Sequence, residues 1–463
     1  MATHPISSRV ALAAALVALA GCAPMAPKYE RPALPVPASL TDTAPAADAP
    51  SAALPDFAAF TPDARLRALA ELALKNNRDL RVAVLNVEQA RASLGLARAD
   101  LYPSLSAGFT ASRAPNSQGQ QANSFALGLN VSSYEADLFG RVRSLSDAAA
   151  ARLLASDEGR RAAQVSLLAG VAAADLALRA DEELLALTQR TLTTREESLR
   201  LARIRFEGGA AAEGELRGAE SLVAAARASV AALQRQRTQD GNALALLLGS
   251  AVPKDLPPAT PLSQVAFAEL PAGLASDVLL QRPDVRQAEQ TLIAANANIG
   301  AARAAFFPRI LLTGQAGFAS TQLSNLFENT VWTFTGQLLQ PIFDAGRNQA
   351  NLDAANVGRD IAVAQYEKAV QSAFREVADA LAGRATLGEQ LAAQQAQAEA
   401  EGRRAELAER LFQGGAASAL DRLDAERSAL AARQAVVQVQ LARLQNAVAL
   451  YRALGGGAGT AAR

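Results

Sequence analysis

The chain has 463 residues, and its 45 Lys and Arg balance its 45 Asp and Glu, so the formal net charge at pH 7 is zero. This balance excludes a global field that would attract nucleic acid or an acidic surface. The sequence contains one cysteine, which excludes an intrachain disulfide, and one histidine, His4. The usual general base and the commonest metal ligand are therefore nearly absent. We expect no catalytic group, no cofactor, no metal and no nucleic-acid partner.

The N-terminus has the pattern of a bacterial secretory signal. Arg9 precedes an unbroken apolar run, residues 10–20, which is too short to span a bilayer. The run leads into LAGC, which resembles a lipobox, the motif where the signal is cut before a cysteine that is then acylated. We predict a signal peptide at residues 1–21 and lipid attachment at Cys22. Ala23 fits sorting to the outer membrane. A chance cysteine behind an ordinary signal is the alternative.

Two proline-rich segments divide the remaining chain. Residues 22–62 hold nine prolines, a composition typical of an extended segment without a helix, and we predict that they form a tether. Residues 251–271 form a second such strip near the middle of the chain, which indicates a linker between two halves. The last residues, 455–463, are predicted to be a flexible tail.

Segments on either side of the central linker repeat each other. ARADLYPSL at 97–105 matches ARAAFFPRI at 302–310, and FEGGAA from Phe206 matches FQGGAA from Phe412. The offset is 205 to 206 residues in each pair, so one unit has been duplicated, and its two copies should be folded alike. We place the two copies at residues 63–250 and 272–454.

Each copy begins with a helical pattern, at about 63–100 and 283–305, that ends before Pro103 or Pro308. Two segments with alternating apolar and polar residues follow in each copy. The four alternating segments lie at about 104–113, 123–137, 309–320 and 330–343. A period of two over roughly ten residues predicts a β-strand, and this is the length that a tilted strand needs to cross a bilayer. The strands are expected to pair as two hairpins.

The two faces of these strands differ in chemistry. Leu105, Ala107 and Phe109 lie on an apolar face, whereas Ser106 and Thr110 belong to a face of small polar residues with almost no charge. This alternation is typical of the lipid-facing and lumen-facing sides of a membrane barrel. A soluble hairpin with one wet face is the alternative. Four strands cannot close a barrel, so several chains must join: two would supply eight strands and three would supply twelve.

A very long proline-free stretch follows each hairpin, from Arg141 to Phe206 and from Gly346 to Phe412. At 1.5 Å per residue, each stretch would form a helix on the order of 100 Å long, which turns at a Gly-Gly pair and returns. Apolar residues recur with a period close to seven, as in a coiled-coil seam. The clearest seam consists of Val363, Tyr366, Val370, Ala373, Val377 and Ala380. The low aromatic content, 5%, and the abundant alanine favour close packing of helices.

Together these features resemble the outer membrane factor family, the TolC-like export ducts, and within it the branch of NodT-type efflux lipoproteins. The most specific motifs are APKYERP (26–32), LPAGLASDVLLQRPDVRQAE (270–289), FQGGAASALDRLDAERS (412–428) and LYRALGGG (450–457). The resemblance covers nearly the whole chain. It implies a mainly α fold with a small β part, built from a duplicated helical-hairpin and β-hairpin unit. Three chains would form a twelve-stranded outer membrane β-barrel that continues as a long periplasmic α-helical barrel.

The function that this resemblance implies is a passive trimeric duct of a tripartite efflux pump. It would carry small molecules such as drugs or toxic compounds to the outside. The implied partners are two further copies of the chain, a periplasmic adaptor protein, an inner membrane pump and outer membrane lipid. The energy must come from that pump, since the sequence has no phosphate-binding G-x-x-x-x-G-K-[ST] motif. A type I protein secretion outlet is the alternative within the class, and a structural coiled-coil lipoprotein is the alternative from another class.

The two glycine turns are predicted to form the periplasmic tip and to contact the adaptor. These turn residues are Gly208, Gly209, Gly414 and Gly415. Members of the family often have an acidic residue just after the turn glycine, where this chain has Ala417. The candidate aperture residues near the turns are Leu420, Asp421, Arg422, Glu213 and Glu215. Pairs of these charges could hold the tip shut, the charges could be solvated helix ends, or apolar packing around Leu420 and Leu423 could form the gate.

Overall fold

The computed structural model describes residues 25–37, 54–115, 117–270 and 276–457. The predicted signal peptide, Cys22 and most of the predicted tail lie outside the described residues. The described chain divides into two compact units. The first includes residues 84–159 and 286–369 with the N-terminal segment up to Leu34, and the second includes residues 35–83, 160–285 and 370–463. Each of the two longest helices contributes residues to both units.

The two halves of the chain have the same order of elements. The first half contains α1 (Phe57–Phe60), α2 (Ala64–Asn76), α3 (Arg78–Ala99), β1 (Leu105–Pro115), β2 (Gln121–Ala136), α4 (Arg141–Glu207) and α5 (Glu213–Leu248). The second half contains α6 (Pro283–Ala304), β3 (Arg309–Ser320), β4 (Thr330–Leu339), α7 (Arg347–Gln413) and α8 (Ala419–Ala453). Both long helices, α4 and α7, have 67 residues, and both α3 and α6 have 22. The mainly helical fold with four strands is confirmed.

The four strands form one antiparallel sheet in the order β1-β2-β3-β4, which leaves β1 and β4 as its edges. The register places like faces together, since Ala107, Leu129, Ala316 and Trp332 are successive partners across the sheet. The next row holds Ser106, Asn130, Gln315 and Thr333. Paired residues share a face of a sheet, so the apolar and the small polar rows predicted within each strand continue across all four strands.

Strand β4 ends at Leu339, four residues before the predicted limit of 343. Its partner β3 begins at Arg309, directly after Pro308, and Arg309 pairs with Leu339. No residue of β3 is therefore available to pair with the residues after Leu339, and Pro341 has no backbone N–H to donate. The pairing of β2 with β3 shifts register between Val131 and Tyr134, where Ser133 has a φ of 52°.

The first helical pattern is interrupted at Asn77, so residues 63–100 form α2 and α3 rather than one helix. The Asn77 side chain accepts a hydrogen bond from the backbone N–H of Leu80 at 2.8 Å and donates one to the carbonyl of Leu247 at 2.9 Å. Asn77 thus caps the start of α3 and also binds the end of α5. Both bonds use its side-chain amide, so a residue with an apolar side chain could not replace it.

The predicted tether, residues 22–62, makes specific contacts in its described part, and it contains one single-turn helix, which corrects the expectation of a segment without a helix. Arg31 binds Glu289 of α6 through both carboxylate oxygens, at 2.6 and 3.1 Å, and the Tyr29 hydroxyl donates to Glu289 at 3.0 Å. The Asn296 side chain donates to the carbonyl of Pro27 at 2.7 Å. Residues 57–60 form the single-turn helix α1. The segment at residues 25–37 therefore binds α6 through its side chains and the Pro27 carbonyl, without forming a helix or strand of its own.

The second unit has a compact apolar core in which α2 packs against the returning helix α5 and against α4. The members of this core are Leu69, Ala73, Leu80, Leu167, Val171, Leu244 and Leu248. The second unit also contains an aromatic stack. The Phe60 ring stacks on Phe267, with ring centroids 4.8 Å apart, and on Tyr451, with centroids 4.3 Å apart. This stack joins α1 to the residues before the second copy and to the end of α8.

The predicted seam of α7 is buried, with one displacement. Tyr366, Val370, Ala373, Val377 and Ala380 are all buried, whereas Val363 is half-exposed and the neighbouring Ala362 is buried in its place. Helix α4 contains one stretch that is apolar and long enough to cross a membrane by composition, and 44% of that stretch is buried within the protein. Alanines and leucines that pack between helices account for this composition.

Candidate functional site at the helix turns

The two long helices end in the same backbone geometry. Gly209 after α4 and Gly415 after α7 have φ values of 71° and 76°, in the left-handed region that favours glycine. The amide of Ala210 donates to the carbonyl of Arg205 at 2.7 Å, and the amide of Ala416 donates to that of Leu411 at 2.8 Å. These bonds satisfy carbonyl groups in the last turn of each helix, and the chain reverses direction within a few residues. The repeated Gly-Gly motif therefore encodes the two turns.

The helices that leave the turns begin differently. Ser418 caps α8: its hydroxyl accepts from the amide of Asp421 at 3.2 Å, and the Asp421 carboxylate accepts from the Ser418 amide at 3.2 Å and hydroxyl at 2.7 Å. Ala212, at the equivalent position before α5, makes no side-chain cap. The hydrogen bonds from Ser418 lower the pKa of the Asp421 carboxyl. Asp421 is therefore held as a carboxylate in the cap of its own helix.

Arg422 does not pair with Asp421 in the described chain. Its guanidinium lies 3.2 Å from the Glu409 carboxylate of α7 and 3.6 Å from that of Glu426. It also lies 4.8 Å from the centre of the Phe412 ring, and its side chain is 14% exposed. Arg422 thus connects the start of α8 to the end of α7. The aperture role of these residues concerns neighbouring chains and stays a prediction.

Phe412 was not among the predicted site residues, yet two guanidinium groups approach its ring. Besides Arg422, Arg205 of α4 lies 5.6 Å from the ring centre, and Arg205 also binds Glu215 at 3.0 Å. Contacts of a guanidinium with an aromatic ring are worth about 0.5–1 kcal/mol at exposed sites. Phe412 thus links the turns of the two copies. The signal in the sequence was the Phe that stands two residues before Gly-Gly in both copies.

The remaining candidate aperture residues lie on the surface of the chain. Glu213 pairs with Arg217 one turn later, and both side chains are 66% exposed. Glu213 and Glu215 belong to the first turn of α5, where the helix dipole favours acidic side chains. Leu420 is 75% exposed on the first turn of α8. In the described residues no group of three or more His, Cys, Asp and Glu is placed to hold a metal ion.

The family comparison matches the chain twice. Residues 69–250 and 274–456 each match the family described as outer membrane efflux protein. The two matches correspond to the two copies that the repeated motifs indicate.

Curated relatives match along nearly the whole chain. It is 43% identical over 457 residues to the solvent efflux pump outer membrane protein SrpC of Pseudomonas putida, which covers 96% of this chain and 97% of the relative. It is 41% identical over 449 residues to the cation efflux system protein CusC of Escherichia coli O157:H7, with 95% of this chain and 97% of the relative covered. The match is thus not confined to the helical segments.

Solved structures show the same fold. The open state of the MtrE outer membrane channel of Neisseria gonorrhoeae superposes with a TM-score of 0.86 at 42% identity, over 94% of this chain and 98% of that one. The outer membrane channel CmeC of Campylobacter jejuni superposes with a TM-score of 0.83 at 27% identity, over 94% and 95% of the two chains. The arrangement of helices and strands therefore persists while most residues change.

Proposed function

The chain belongs to the outer membrane efflux protein family, and from this premise we propose that it is the outer membrane channel subunit of a tripartite efflux pump. In this role it is a passive duct, through which small toxic molecules leave the cell. The functions of the relatives, solvent efflux for SrpC and cation efflux for CusC, support efflux of small compounds. The chain contributes no energy, and the gradient or nucleotide that drives export acts on the inner membrane pump.

The observation that carries this proposal is the sheet. Its apolar rows and small polar rows run across all four strands, and its outer strands β1 and β4 have unpaired edges. In lipid, unpaired backbone groups cost several kcal/mol each, so the edges of one chain must pair with those of other copies. A homotrimer supplies twelve strands and closes the barrel with the polar rows inside. A stable monomer inserted in lipid, seen by native mass measurement or cross-linking, would contradict this assembly.

The adaptor is proposed to dock on the turns Gly208-Gly209 and Gly414-Gly415. The turns stand at the ends of the longest helices, and the side chains around them are largely exposed. Exposed apolar residues lie on the last turns of both long helices: Leu201, Ile204, Phe206, Leu407 and Leu411. We propose that they contact other protein surfaces, either neighbouring copies or the adaptor. The inner membrane pump is reached through that adaptor.

Deletion of the gene tests the proposed function. A strain without the protein should become more sensitive to toxic organic compounds and should accumulate them, while its profile of secreted proteins stays unchanged. The wild-type gene should restore resistance. The alternative outcome, lost secretion of specific proteins with unchanged sensitivity, would indicate a protein secretion outlet. A change in envelope spacing with neither effect would indicate a structural lipoprotein.

We further propose that the protein is anchored in the outer membrane by acylation of Cys22. Cys22→Ser should abolish labelling by radioactive palmitate and slow delivery to the outer membrane, because the acyl chains are lost. The assembled protein should nevertheless remain membrane-bound, since a transmembrane barrel holds far more strongly than a lipid anchor. Ala23→Ser, which keeps the thiol, is the matched control. Undiminished labelling in Cys22→Ser would exclude the anchor, and release of folded protein into the soluble periplasm would count against the barrel.

The charges at the tip are proposed to hold the aperture closed. Asp421→Ala combined with Arg422→Ala should raise the conductance of the channel in a planar bilayer. The variant loses the bonds that the Asp421 carboxylate accepts from Ser418, and it loses the contacts of Arg422 with Glu409 and Phe412. Each ion pair in a wet site is worth about 0.2–1 kcal/mol, and a trimer repeats the loss three times. Arg427→Ala is the control, because Arg427 is an exposed partner of Asp424 on the same helix. Equal conductance in the double variant and the wild type would assign the gate to apolar packing around Leu420 and Leu423.

A further inference from the structure

Helices α4 and α5 form an antiparallel hairpin whose facing charges are complementary. Glu182 pairs with Arg237 at 3.1 Å, Glu196 pairs with Arg227 at 2.7 Å, and Arg205 pairs with Glu215 at 3.0 Å. As the residue number rises along α4, the number of its partner falls along α5, as the antiparallel direction requires. Each of these three positions joins an acid to a base.

One position in this series breaks the rule. Asp181, next to Glu182, has Asp240 of α5 within hydrogen-bonding reach. Asp181 is 8% exposed, and its Oδ2 atom has no hydrogen-bond donor among the described residues. If both carboxylates were ionised, they would repel each other, and neither could donate a hydrogen bond to the other. A single proton held between them would remove the repulsion and would also satisfy the buried oxygen.

Among the described residues, the charged side chains near the pair are bound to other partners. On α5, Arg237 is bound to Glu182, and Gln236 donates to Asp240 at 3.1 Å. On α4, Arg179 is bound to Asp63 and Asp175, and Glu183 accepts from the amide of Leu262. Helix α8 packs on the same part of α4, as shown by the bond from Gln434 to Thr188, and its residues 434–441 carry no charge.

We propose that Asp181 and Asp240 share one proton, which closes the α4–α5 hairpin in acid and loosens it once the proton is lost. The inference does not depend on the proposed function, since it concerns one hairpin of one chain. The hairpin ends in the Gly208-Gly209 turn.

The direction of the pH dependence follows from the shift. Burial, and then the hydrogen bond and the charge of Asp240, raise the pKa of the Asp181 carboxyl to about 7. The pKa of an Asp in an unfolded chain is about 3.9. Between these values the folded hairpin binds more protons than the unfolded chain, so its stability falls as the pH rises. The stabilisation is complete below about pH 4 and is lost as the pH rises through about 7.

Amide hydrogen exchange of the full-length protein in detergent tests the proposal. Peptides that cover residues 175–190 and 233–246 should exchange about tenfold or more faster at pH 8.5 than at pH 5.5, after correction for the intrinsic pH dependence of exchange. Asp181→Asn should remove this difference, because its amide donates to Asp240 at either pH. If Asp181→Asn does not fold, Asp240→Asn, at the less buried end of the pair, gives the same measurement.

Glu196→Gln is the matched control, since it neutralises an acid of the same helix that already has a basic partner, and it should keep the wild-type pH dependence. Equal exchange of the wild type at both pH values would overturn the proposal. A pH dependence that persists in Asp181→Asn would overturn it as well. Slow exchange at pH 8.5 that is lost on addition of EDTA would show that the two carboxylates hold a divalent cation instead of a proton.

Discussion

Replacing Arg179 with methionine should destabilise the second unit by about 3–5 kcal/mol, because it removes the arginine partner of the buried Asp63 carboxylate and one of the two arginines that bind Asp175, the other being Arg65 at 2.9 Å. The Arg179 side chain is 3% exposed and contacts Asp63 and Asp175, each at 2.7 Å. It also donates to the hydroxyl of Thr260 at 2.9 Å. Methionine preserves much of the volume, so the expected loss comes from the uncompensated charges rather than from a cavity. The melting temperature of the purified protein in detergent measures it.

The pH dependence of this effect has a definite sign. Burial raises the pKa of the Asp63 carboxyl, but the bonds from Arg179, the Leu66 amide and Thr260 outweigh burial, and the net shift is downward. The stability from this carboxylate is therefore present above about pH 4 and is lost as the pH falls through the lowered pKa. The difference in melting temperature between wild type and Arg179→Met should shrink in acid.

Arg237→Met is the control for this experiment. Arg237 also lies in the second unit and binds one carboxylate, that of Glu182, but both side chains are about half exposed. Exposed pairs contribute about 0–1 kcal/mol, so this variant should melt close to the wild type. Equal destabilisation by the two substitutions would mean that the buried network around Arg179 contributes no more than a surface pair.

Substituting Gly317 with valine should prevent assembly of the sheet. Gly317 of β3 pairs with Gly128 of β2, and a Cβ at position 317 would collide with the carbonyl of Leu127 and the Cα of Gly128. Backbone atoms cannot move aside as a side chain can, so β2 and β3 must separate. Overpacking costs about 1–3 kcal/mol where side chains can adjust, and the cost here should exceed that range. Outer membrane fractions should contain far less of the assembled oligomer.

Gly314→Val provides the matched control, because Gly314 lies on the same inner strand, β3, where it pairs with Val131 and Phe334. A Cβ at position 314 meets no atom closer than 4.0 Å. This variant should assemble like the wild type. Normal assembly of Gly317→Val would show that β2 and β3 are not held as closely as the structure describes.

The helices and strands could be predicted from local sequence patterns. Contacts between residues far apart in the sequence could not. Alternation within each strand is a local property, and it identified both faces of the sheet. The pairing of β2 with β3 joins the two copies across about 180 residues, as the bond from the Ser133 amide to Thr313 shows, and no pattern indicates it. The network of Arg179 with Asp63 likewise joins residues 116 positions apart. Such contacts depend on how the elements are packed.

At the tip, one feature could have been read from the sequence. Ser418 followed three residues later by Asp421, just before a helix, matches a capping box, which would have assigned Asp421 to the cap. The partners of Arg422 could not be read in this way. Glu409 lies on the preceding helix, and its distance from Arg422 depends on how closely the glycine turn brings α7 and α8 together.

The contacts of the N-terminal segment with α6 constrain the order in which the protein can fold. Tyr29, Arg31 and Pro27 emerge among the first residues of the chain, but their partners Glu289 and Asn296 follow 258 to 269 residues later. In a chain that is synthesised and exported from its N-terminus, this segment therefore lacks its α6 partners until the whole first copy has been completed. The segment can bind only after α6, the first helix of the second copy, has been synthesised, so its docking depends on residues from both copies.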